Sequence, residues 1–514
     1  MYSCVRTGAL LGISVKPVLV EVDTSPGLSS FQMVGYLGSE VREARERIKV
    51  ALRNVGVRLP PLCININLSP ADLHKDGTLY DLPIAVGILI ALGIVPRESV
   101  ERMAIWGELG LDGVIRPIRG TLPLVRAATE WGMEYCLVPK DNRREGMVVP
   151  GIGVYGGSDL GEVMAFLTAD KNSRDRIISC ESGSPALPAG KRSSVRTGDL
   201  ADVVGQREVK RGAEIAASGF HHFLMVGPPG AGKTMVAERI PGILPPLSIE
   251  ECLEVTGIHS VAGTLEKRDT LITERPFVSP HHTVTKSALI GGGAMPGPGL
   301  ISLAHKGVLF LDEMAEFRRE TIDLLRQPLE EKRIVIHRRA YSSSFPADFM
   351  LVAASNPCPC GYYPDRNRCN CSENQIRTYQ SRISGPVLDR IDLAARIEAV
   401  RIDDLEQKRA EEKSDTIRER VIEAVRRQSH RFRESTILFN SQMGKAEVAQ
   451  YCALGHSEML LMRQAFERMH MSARGYHRTL KVARTIADLA GEERIREEHL
   501  EEALFYRLGR GGEA

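Results

Sequence analysis

The chain has 514 residues, 43% of them hydrophobic and 26% charged, which predicts about three globular domains and excludes bulk disorder. Its formal net charge of +2 excludes a basic surface spread over the whole molecule, so any contact with nucleic acid must be local. Scattered cysteines, an N-terminus without an uninterrupted apolar core and a longest apolar run at 82–95 predict a soluble cytoplasmic protein.

Residues 1–168 are predicted to form one α/β domain. Residues 18–22 and 62–68 alternate between polar and apolar side chains as strands do. Residues 38–55 have helical spacing, and the apolar segment 82–92 has the length of a buried helix. Strands and helices mixed in this way favour an α/β fold.

Two stretches of this domain, residues 74–79 and 107–120, resemble the proteolytic domain of Lon-type proteases, which has a ribosomal S5 domain 2-like fold. In that family the first stretch carries a nucleophilic serine and the second leads to a lysine base. The serine position falls here at Leu79, and the lysine position falls on a stretch without lysine. A Ser–Lys dyad needs a hydroxyl and an amine within hydrogen-bond reach, so we expect the Lon-like fold without the peptidase. A shifted dyad of Thr78 and Lys75 is the alternative.

Residues 169–200 are rich in Ser, Gly, Pro, Lys and Arg and lack apolar periodicity, which predicts a mobile linker. A second domain is predicted over residues 201–400, followed by a helical region at 401–514. The charged segment 403–433 has many opposite charges four residues apart, which predicts a solvated helix between the two. Further helices are predicted at 446–454, 457–469, 479–490 and 497–508.

An apolar strand, a glycine-rich loop and a helix follow one another at residues 222–240. The loop has the phosphate-binding pattern G-x-x-x-x-G-K-T, formed by Gly227, Pro228, Pro229, Gly230, Ala231, Gly232, Lys233 and Thr234. Its glycines let backbone N–H groups surround phosphates at a helix N-terminus. Lys233 is predicted to reach the β- and γ-phosphates and Thr234 to bind Mg²⁺, so ATP and Mg²⁺ are the expected cofactors. Pro241-Gly242 is predicted to end the helix.

Two further strands are predicted to end beside this loop. Residues 308–311 are apolar and lead into Asp312 and Glu313, as a Walker B motif does. Asp312 is predicted to hold Mg²⁺ through water, and Glu313 to orient and deprotonate the attacking water. The strand 348–356 ends in Asn356, which suits a sensor of the γ-phosphate; the alternative is an asparagine that caps a turn. These motifs together predict ATP hydrolysis.

The segment that leads to the Walker B strand carries a family resemblance. Residues 280–282, 288–293 and 298–307 resemble the magnesium-chelatase-related AAA+ ATPases, specifically the ComM/YifB family, and the resemblance covers essentially the whole chain. It implies an AAA+ core with a parallel sheet, a C-terminal helical lid and a ring, most often a hexamer. It also implies DNA translocation with helicase or branch-migration activity in recombination during natural transformation. Leu300 departs from the family, where an acidic residue is expected.

The resemblance also assigns residues outside the P-loop. Arg390 lies in a stretch that matches the family's L-D-R-[FI]-D pattern, which makes it the arginine finger given to the neighbouring subunit. Arg474 matches sensor 2, with Arg478 as the second choice. Gln206 lies in a segment that borders the adenine in related ATPases; plain packing at the domain entry is the alternative.

Four cysteines are bunched in the loop 357–372. Cys358, Cys360, Cys369 and Cys371 have the spacing C-x-C-x₈-C-x-C, and four thiolates suit tetrahedral Zn²⁺. The C-x-C pairs are tighter than the usual zinc spacing, so incidental reduced thiols are the alternative. A bound zinc would have a structural role next to Asn356.

Residues 331–340 suit a β-hairpin with a basic end. In related ring ATPases such a hairpin faces the pore, where Arg333, Arg338 and Arg339 could bind DNA phosphates. The alternative is a solvated sheet edge protected by charge. Two rival functions stay open at this point: a chelatase-type remodeller of a protein partner and an ATP-dependent protease, which Leu79 disfavours.

Overall fold

The computed structural model describes residues 1–182, 198–265, 270–293, 296–337, 342–399 and 411–507. The described residues contain two larger β-sheets. One is formed by strands before residue 183, and the other by strands between residues 223 and 396. In the described ranges, no helix combines the length and apolar character needed to cross a bilayer.

The N-terminal domain contains a mixed sheet. Its strands are β1 (Tyr2–Leu11), β2 (Ser14–Pro26), β3 (Ser30–Val34), β4 (Leu62–Ser69), β5 (Met103–Ile105), β8 (Tyr135–Pro139), β9 (Gly153–Gly157) and β10 (Glu181–Ser182), while β6 (Glu108–Leu109) pairs separately with β7 (Ile115–Arg116). The strand order across the sheet is β10-β9-β8-β5-β1-β2-β4-β3. The helices are Ser39–Asn54, Asp81–Ala91, Thr121–Glu130, Arg143–Gly146, Leu160–Thr168 and Lys171–Ile177. The predicted strands and helices of this domain are confirmed.

Helix Asp81–Ala91 is buried at every residue, because it lies across the long antiparallel pair of β1 and β2. Its apolar composition therefore reflects a core position and not a membrane span. Ser3 Oγ donates a hydrogen bond of 2.7 Å to the Gly87 carbonyl, which ties the first strand to this helix. The α/β character of the N-terminal region follows from this arrangement.

The predicted linker starts too early. Residues 171–177 form a helix, and β10 pairs antiparallel with β9 through Glu181 and Val154. Polar side chains of this segment hold it against the preceding domain. Arg174 Nη2 donates to Ser99 Oγ at 2.7 Å, and Tyr155 Oη donates to Asp175 at 3.2 Å. The linker prediction is therefore wrong over residues 171–182 and at Leu200, which is buried, while residues 183–197 lie outside the described residues.

The second sheet is parallel throughout. Its strands are β11 (Phe223–Val226), β12 (Phe277–Val278), β15 (Val308–Leu311), β18 (Met350–Ser355) and β19 (Leu393–Arg396), in the order β12-β15-β18-β11-β19. Strands β15 and β18 are buried at every residue, so side chains on both faces of the sheet are apolar and the strands read as nearly continuous hydrophobic runs. Two hairpins accompany the sheet: β13 (Gly291–Gly292) with β14 (Gly297–Pro298), and β16 (Arg333–His337) with β17 (Ser342–Pro346). The predicted parallel sheet is confirmed, and a hairpin is present at the predicted place, but its basic end lies outside the described residues.

Helices accompany this sheet, and Arg207–Gly219 and Lys233–Ile243 pack directly against its strands. The helices are Arg207–Gly219, Lys233–Ile243, Ile249–Ala262, Lys286–Ile290, Leu300–Leu303, Arg319–Asp323, Arg326–Glu331, Glu373–Gln380 and Gly385–Leu388. The helix after the P-loop continues through Pro241 to Ile243, so its predicted end is wrong. Proline removes only one intrahelical bond, and burial of Ile240 and Ile243 holds this last turn in place.

The C-terminal region is helical, with helices Ser414–Arg431, Lys445–Tyr451, His456–Arg468, Ala473–Ala490 and Glu497–Phe505. Val421 and Ala487 from these helices belong to the same buried cluster as Phe223 of strand β11. The helical region therefore shares a hydrophobic core with the parallel sheet. The N-terminal unit also contacts helix Ile249–Ala262, since Gly120 N donates to the Ser260 carbonyl at 3.2 Å.

Candidate active site

The glycine-rich loop, residues 227–234, follows strand β11 of the parallel sheet, which lies between β18 and β19. Gly230 and Gly232 have φ angles of +74° and +93°, which L side chains rarely adopt. A Cβ atom at Gly227 would lie 2.2 Å from the backbone oxygen of Ile397, so this position excludes any side chain. The loop conformation therefore requires glycine at three positions. Such a loop lets backbone N–H groups approach a phosphate closely.

Lys233 begins the helix that follows the loop. Its Nζ donates to the carbonyls of Gly227 at 2.7 Å and Pro228 at 2.8 Å, and to Asn356 Oδ1 at 3.1 Å. Burial lowers the pKa of Lys233, and the neighbouring carboxylates Asp312 and Glu313 act in the opposite direction. Since three acceptors already use the ammonium's three donors, a phosphate must displace at least one of them to bind Lys233.

The Walker B residues lie directly beside this helix. Thr234 Oγ1 donates to Asp312 Oδ2 at 2.8 Å, and Asp312 Oδ1 accepts from the Glu313 N–H at 2.9 Å. Glu313 has a φ angle of +49°, an uncommon value for a side-chain-bearing residue. A hydroxyl and a carboxylate oxygen are ligands that Mg²⁺ accepts, so the donor set fits this ion.

Asn356 comes directly after strand β18, which lies between the P-loop strand and the Walker B strand. The carboxyl ends of parallel strands share one edge, so the three motifs converge there. The structure brings together the predicted residues Lys233, Thr234, Asp312 and Asn356 through direct hydrogen bonds, with Glu313 next to them.

The predicted arginines lie elsewhere. Arg478 Nη1 is 2.9 Å from Asp392, which precedes β19 and accepts from the His222 N–H at 3.0 Å. Since Phe223 pairs with Leu393, these contacts mark the amino end of the sheet, opposite the P-loop. Burial would raise the pKa of Asp392, but Arg478 and the His221 ring hold it well below its usual range.

Arg390 and Arg474 meet at one carboxylate near the same edge. Arg390 is buried and pairs through Nη2 with Glu330, whose Oε1 also lies 3.5 Å from Arg474 Nη1. Arg474 itself is 67% exposed. These arginines therefore do not face the P-loop of their own chain. Glu330 and Asp392 were not predicted as site residues, although Asp392 ends the L-D-R-[FI]-D pattern.

The Gln206 side chain, at the start of helix Arg207–Gly219, hydrogen-bonds the backbone just after strand β19. Its Nε2 donates to the Glu398 carbonyl at 2.7 Å, and its Oε1 accepts from the Glu398 N–H at 3.3 Å. The residue before Glu398, Ile397, packs against Gly227 of the glycine loop. Gln206 is thus close to the P-loop through these neighbours, and its contact with a nucleotide stays a prediction.

The remaining predicted residues are distributed over two places. The four cysteines have their Sγ atoms within 4.8 Å of one another, beside the nucleotide site. Arg333 begins strand β16, is exposed and lies 3.4 Å from Glu331. Arg338 and Arg339 lie outside the described residues.

The alternative dyad in the N-terminal domain is not formed. The Thr78 hydroxyl donates to Glu108, and Lys75 Nζ donates to the Pro70 carbonyl, so the two side chains bond to different partners. Leu79 is 8% exposed and packs in the core. This geometry does not offer a Ser–Lys-type nucleophile at these positions.

Comparison with known proteins gives matches along nearly the whole chain. Family models match three segments: "Subunit ChlI of Mg-chelatase" at 20–142, "Magnesium chelatase, subunit ChlI" at 199–405 and its C-terminal part at 411–507. The YifB protein of Salmonella typhimurium is 41% identical over 506 residues, covering 98% of this chain and 96% of that protein. The competence protein ComM of Haemophilus influenzae is 38% identical over 509 residues, covering 98% and 97%. Lon protease 2 of Bacillus subtilis is 26% identical over 148 residues, 27% of this chain and 26% of that protein.

Proposed function

The chain is an AAA+ ATPase of the ComM/YifB family of magnesium-chelatase-related proteins, and we propose that its subunits form a ring that hydrolyses ATP to move DNA. The observation that carries the ATPase part is the cluster of Lys233, Thr234, Asp312 and Asn356 at one sheet edge. The DNA part is supported by the 38% sequence identity to ComM over nearly the full length of both chains.

In the proposed reaction, the loop N–H groups and Lys233 hold the triphosphate. Thr234 and Asp312 would hold Mg²⁺, which would supply positive charge that neutralises the phosphates. Glu313 orients the attacking water and accepts its proton, while Asn356 hydrogen-bonds the γ-phosphate or this water. The bond from Lys233 to Asn356 supports this assignment, because it puts the sensor amide within reach of the phosphate-binding ammonium.

Charge on the transferring phosphoryl group also needs a cation besides Lys233. Arg390 and Arg474 lie together on Glu330, away from that loop. We propose that both arginines serve the nucleotide of the neighbouring subunit in a hexamer. Arg478 is the weaker candidate, because it is engaged with the buried carboxylate Asp392.

DNA is proposed to pass through the ring along the β16–β17 hairpin. Exposed Arg333 stands on the described part of this hairpin, and a local basic surface suits a chain whose net charge is only +2. The activity is helicase or branch migration in homologous recombination during natural transformation. The N-terminal domain is proposed to have the Lon-like fold without peptidase activity, which the absent dyad supports.

A chelatase-type remodeller is the second candidate, because the matching family models are those of a magnesium-chelatase subunit. It predicts a protein partner and no dependence on DNA. A strand-displacement assay with a labelled branched junction separates the two candidates. We expect ATP-dependent movement of the junction by the intact chain and none by Lys233→Ala. Absence of strand movement at saturating ATP and Mg²⁺ would contradict the DNA proposal.

A further inference from the structure

The cysteine loop, residues 357–372, has a core made mainly of thiols. Cys358, Cys369 and Cys371 are buried, and the one aliphatic side chain buried with them is Ile376. Tyr362, Tyr363 and Cys360 pack around them and are only partly buried. The described residues of this loop contain neither helix nor strand. A loop of this length with so little apolar burial needs another source of support.

The four sulfur atoms are arranged as ligands of a single ion. Cys358 Sγ is 3.4 Å from Cys360 Sγ and 3.8 Å from Cys369 Sγ, and all four lie within 4.8 Å of one another. Tetrahedral zinc with Zn–S bonds of about 2.3 Å places its sulfurs about 3.8 Å apart. All four cysteines are free, and the Tyr363 N–H donates to Cys358 Sγ at 3.4 Å. Such N–H···S bonds are the outer contacts that support metal thiolates.

The same loop touches the nucleotide site at two points. It begins directly after Asn356, which accepts from Lys233. Its first turn closes with a bond of 3.0 Å from Gly361 N to the Cys358 carbonyl. Gly361 has a φ of +86°, and a Cβ there would lie 2.5 Å from Pro229 Cδ in the glycine-rich loop. The turn that carries two of the cysteines therefore lies against the P-loop.

We propose that Cys358, Cys360, Cys369 and Cys371 bind one Zn²⁺, which fixes the loop that supports Pro229 and Asn356 in the nucleotide site. Four protein ligands close the coordination shell, so the ion is structural and carries no reactive water. Four thiolates leave the site with a net charge of −2. Arg366 places a cation at the edge of the site, because its Nη1 donates to the Cys371 carbonyl at 3.0 Å while its Nη2 pairs with Glu373.

Metal content tests the site independently of any ATP chemistry. We expect one zinc per chain by mass spectrometry of the full-length protein purified without chelator. The double variant Cys369→Ser/Cys371→Ser should lose it. Cys452→Ser should keep it, because Cys452 is equally buried but lies in the helical region. Iron instead of zinc, a disulfide among the four cysteines, or a metal-free chain would overturn the proposal.

Cobalt provides a second readout if the double variant fails to fold. Wild-type protein stripped with a chelator and titrated with Co²⁺ should develop the visible absorption of a tetrahedral thiolate site at one equivalent. Added Zn²⁺ should remove this absorption. A titration without such absorption, in protein that keeps its circular dichroism spectrum, would overturn the site.

The support of the nucleotide site rests on the proposed ATPase function and needs its own variant. Gly361→Ala keeps all four thiolates and adds a methyl group against Pro229. We expect a full equivalent of zinc and a several-fold weaker affinity for a fluorescent ATP analogue. Gly385→Ala is the control, because a Cβ there meets nothing within 4 Å. Unchanged affinity in Gly361→Ala would overturn the coupling, whereas a wild-type chain that binds zinc but no nucleotide would refute only the proposed ATPase.

Discussion

Thr234 Oγ1 donates a hydrogen bond of 2.8 Å to Asp312 Oδ2, across 78 residues of sequence. The bond joins the first turn of the P-loop helix to the end of the Walker B strand. The hydroxyl and the carboxylate that are expected to bind Mg²⁺ therefore form one hydrogen-bonded pair. Because Asp312 bonds to the predicted Mg²⁺ ligand Thr234, we predict that Asp312 contributes to Mg²⁺ binding and does not contact the nucleotide.

Replacement of Asp312 by asparagine tests this division of roles. Asp312→Asn should raise the Mg²⁺ concentration for half-maximal ATP hydrolysis by about 10- to 100-fold, the usual effect of losing an outer metal contact. Nucleotide binding measured without Mg²⁺ should stay unchanged. An unaltered Mg²⁺ titration would remove Asp312 from the metal site.

Glu313 is predicted to be the general base. Glu313→Gln keeps the size of the side chain but cannot accept a proton, so turnover should fall by about 10²- to 10⁴-fold. Binding of a fluorescent ATP analogue should remain close to that of the wild type. If the variant hydrolyses ATP at a near-normal rate, another group activates the water.

Gly227 is predicted to be intolerant of any side chain. A Cβ there would lie 2.2 Å from a backbone oxygen, which cannot move away as a flexible side chain would. Gly227→Ala should therefore abolish detectable ATP binding in calorimetry. Gly257→Ala is the control, since its nearest contact is an ordinary 3.7 Å. Wild-type affinity in Gly227→Ala would contradict this close approach of the loop to Ile397.

Arg390 is predicted to act on the neighbouring subunit's nucleotide. Arg390→Ala should lower kcat by about 10³-fold or more, as loss of arginine fingers does elsewhere. Mixing it with the equally inactive Lys233→Ala should restore part of the activity, because some interfaces then combine an intact P-loop with an intact arginine. Arg426→Ala, which alters an exposed ion pair, is the control. Mixed rings without restored activity would contradict the action between subunits.

Asp348 is predicted to make the stability of the core pH-dependent. It lies before strand β18, 2.9 Å from Lys306 and 3.2 Å from Lys332. Burial would raise the pKa of Asp348, but Lys332 and Lys306 lower it to about 2. A carboxyl whose folded pKa is depressed stabilises the fold above its unfolded pKa of about 3.9, and this contribution is lost as the pH falls toward 2.

Urea denaturation of Asp348→Asn measures this contribution. At pH 7 the variant should lose about 2 kcal/mol of unfolding free energy, or more because two lysines are left without their partner. The difference from wild type should shrink as the pH falls from 4 to 2. The exposed Asp72→Asn should show no such difference. A difference that is constant with pH would assign the loss to packing.

The nucleotide site was predictable because each of its motifs ends a buried strand. Parallel strands bring their carboxyl ends to one edge, so Lys233, Asp312 and Asn356 follow from local patterns and one topological rule. The contacts of Arg390 and Arg474 with Glu330 were not predictable in this way. They depend on how helices Arg326–Glu331 and Ala473–Ala490 lie relative to the segment before β19, which no local pattern encodes.

Two local predictions failed for related reasons. The polar composition of segment 171–182 predicts a linker, but Arg174 and Asp175 bind it to the N-terminal domain. Pro241 predicts the end of a helix, but buried neighbours extend that helix to Ile243. In both cases tertiary contacts override a local tendency that is correct on average.

The central claim is that ATP hydrolysis by this chain is coupled to DNA. The most direct measurement is the steady-state ATP hydrolysis rate of the purified full-length chain alone and with single-stranded, duplex or branched DNA, with Glu313→Gln as the catalytic control. We predict a low basal rate, a several-fold rise with DNA and no DNA-dependent rise in Glu313→Gln. A wild-type rate that is the same with and without every DNA would contradict the claim.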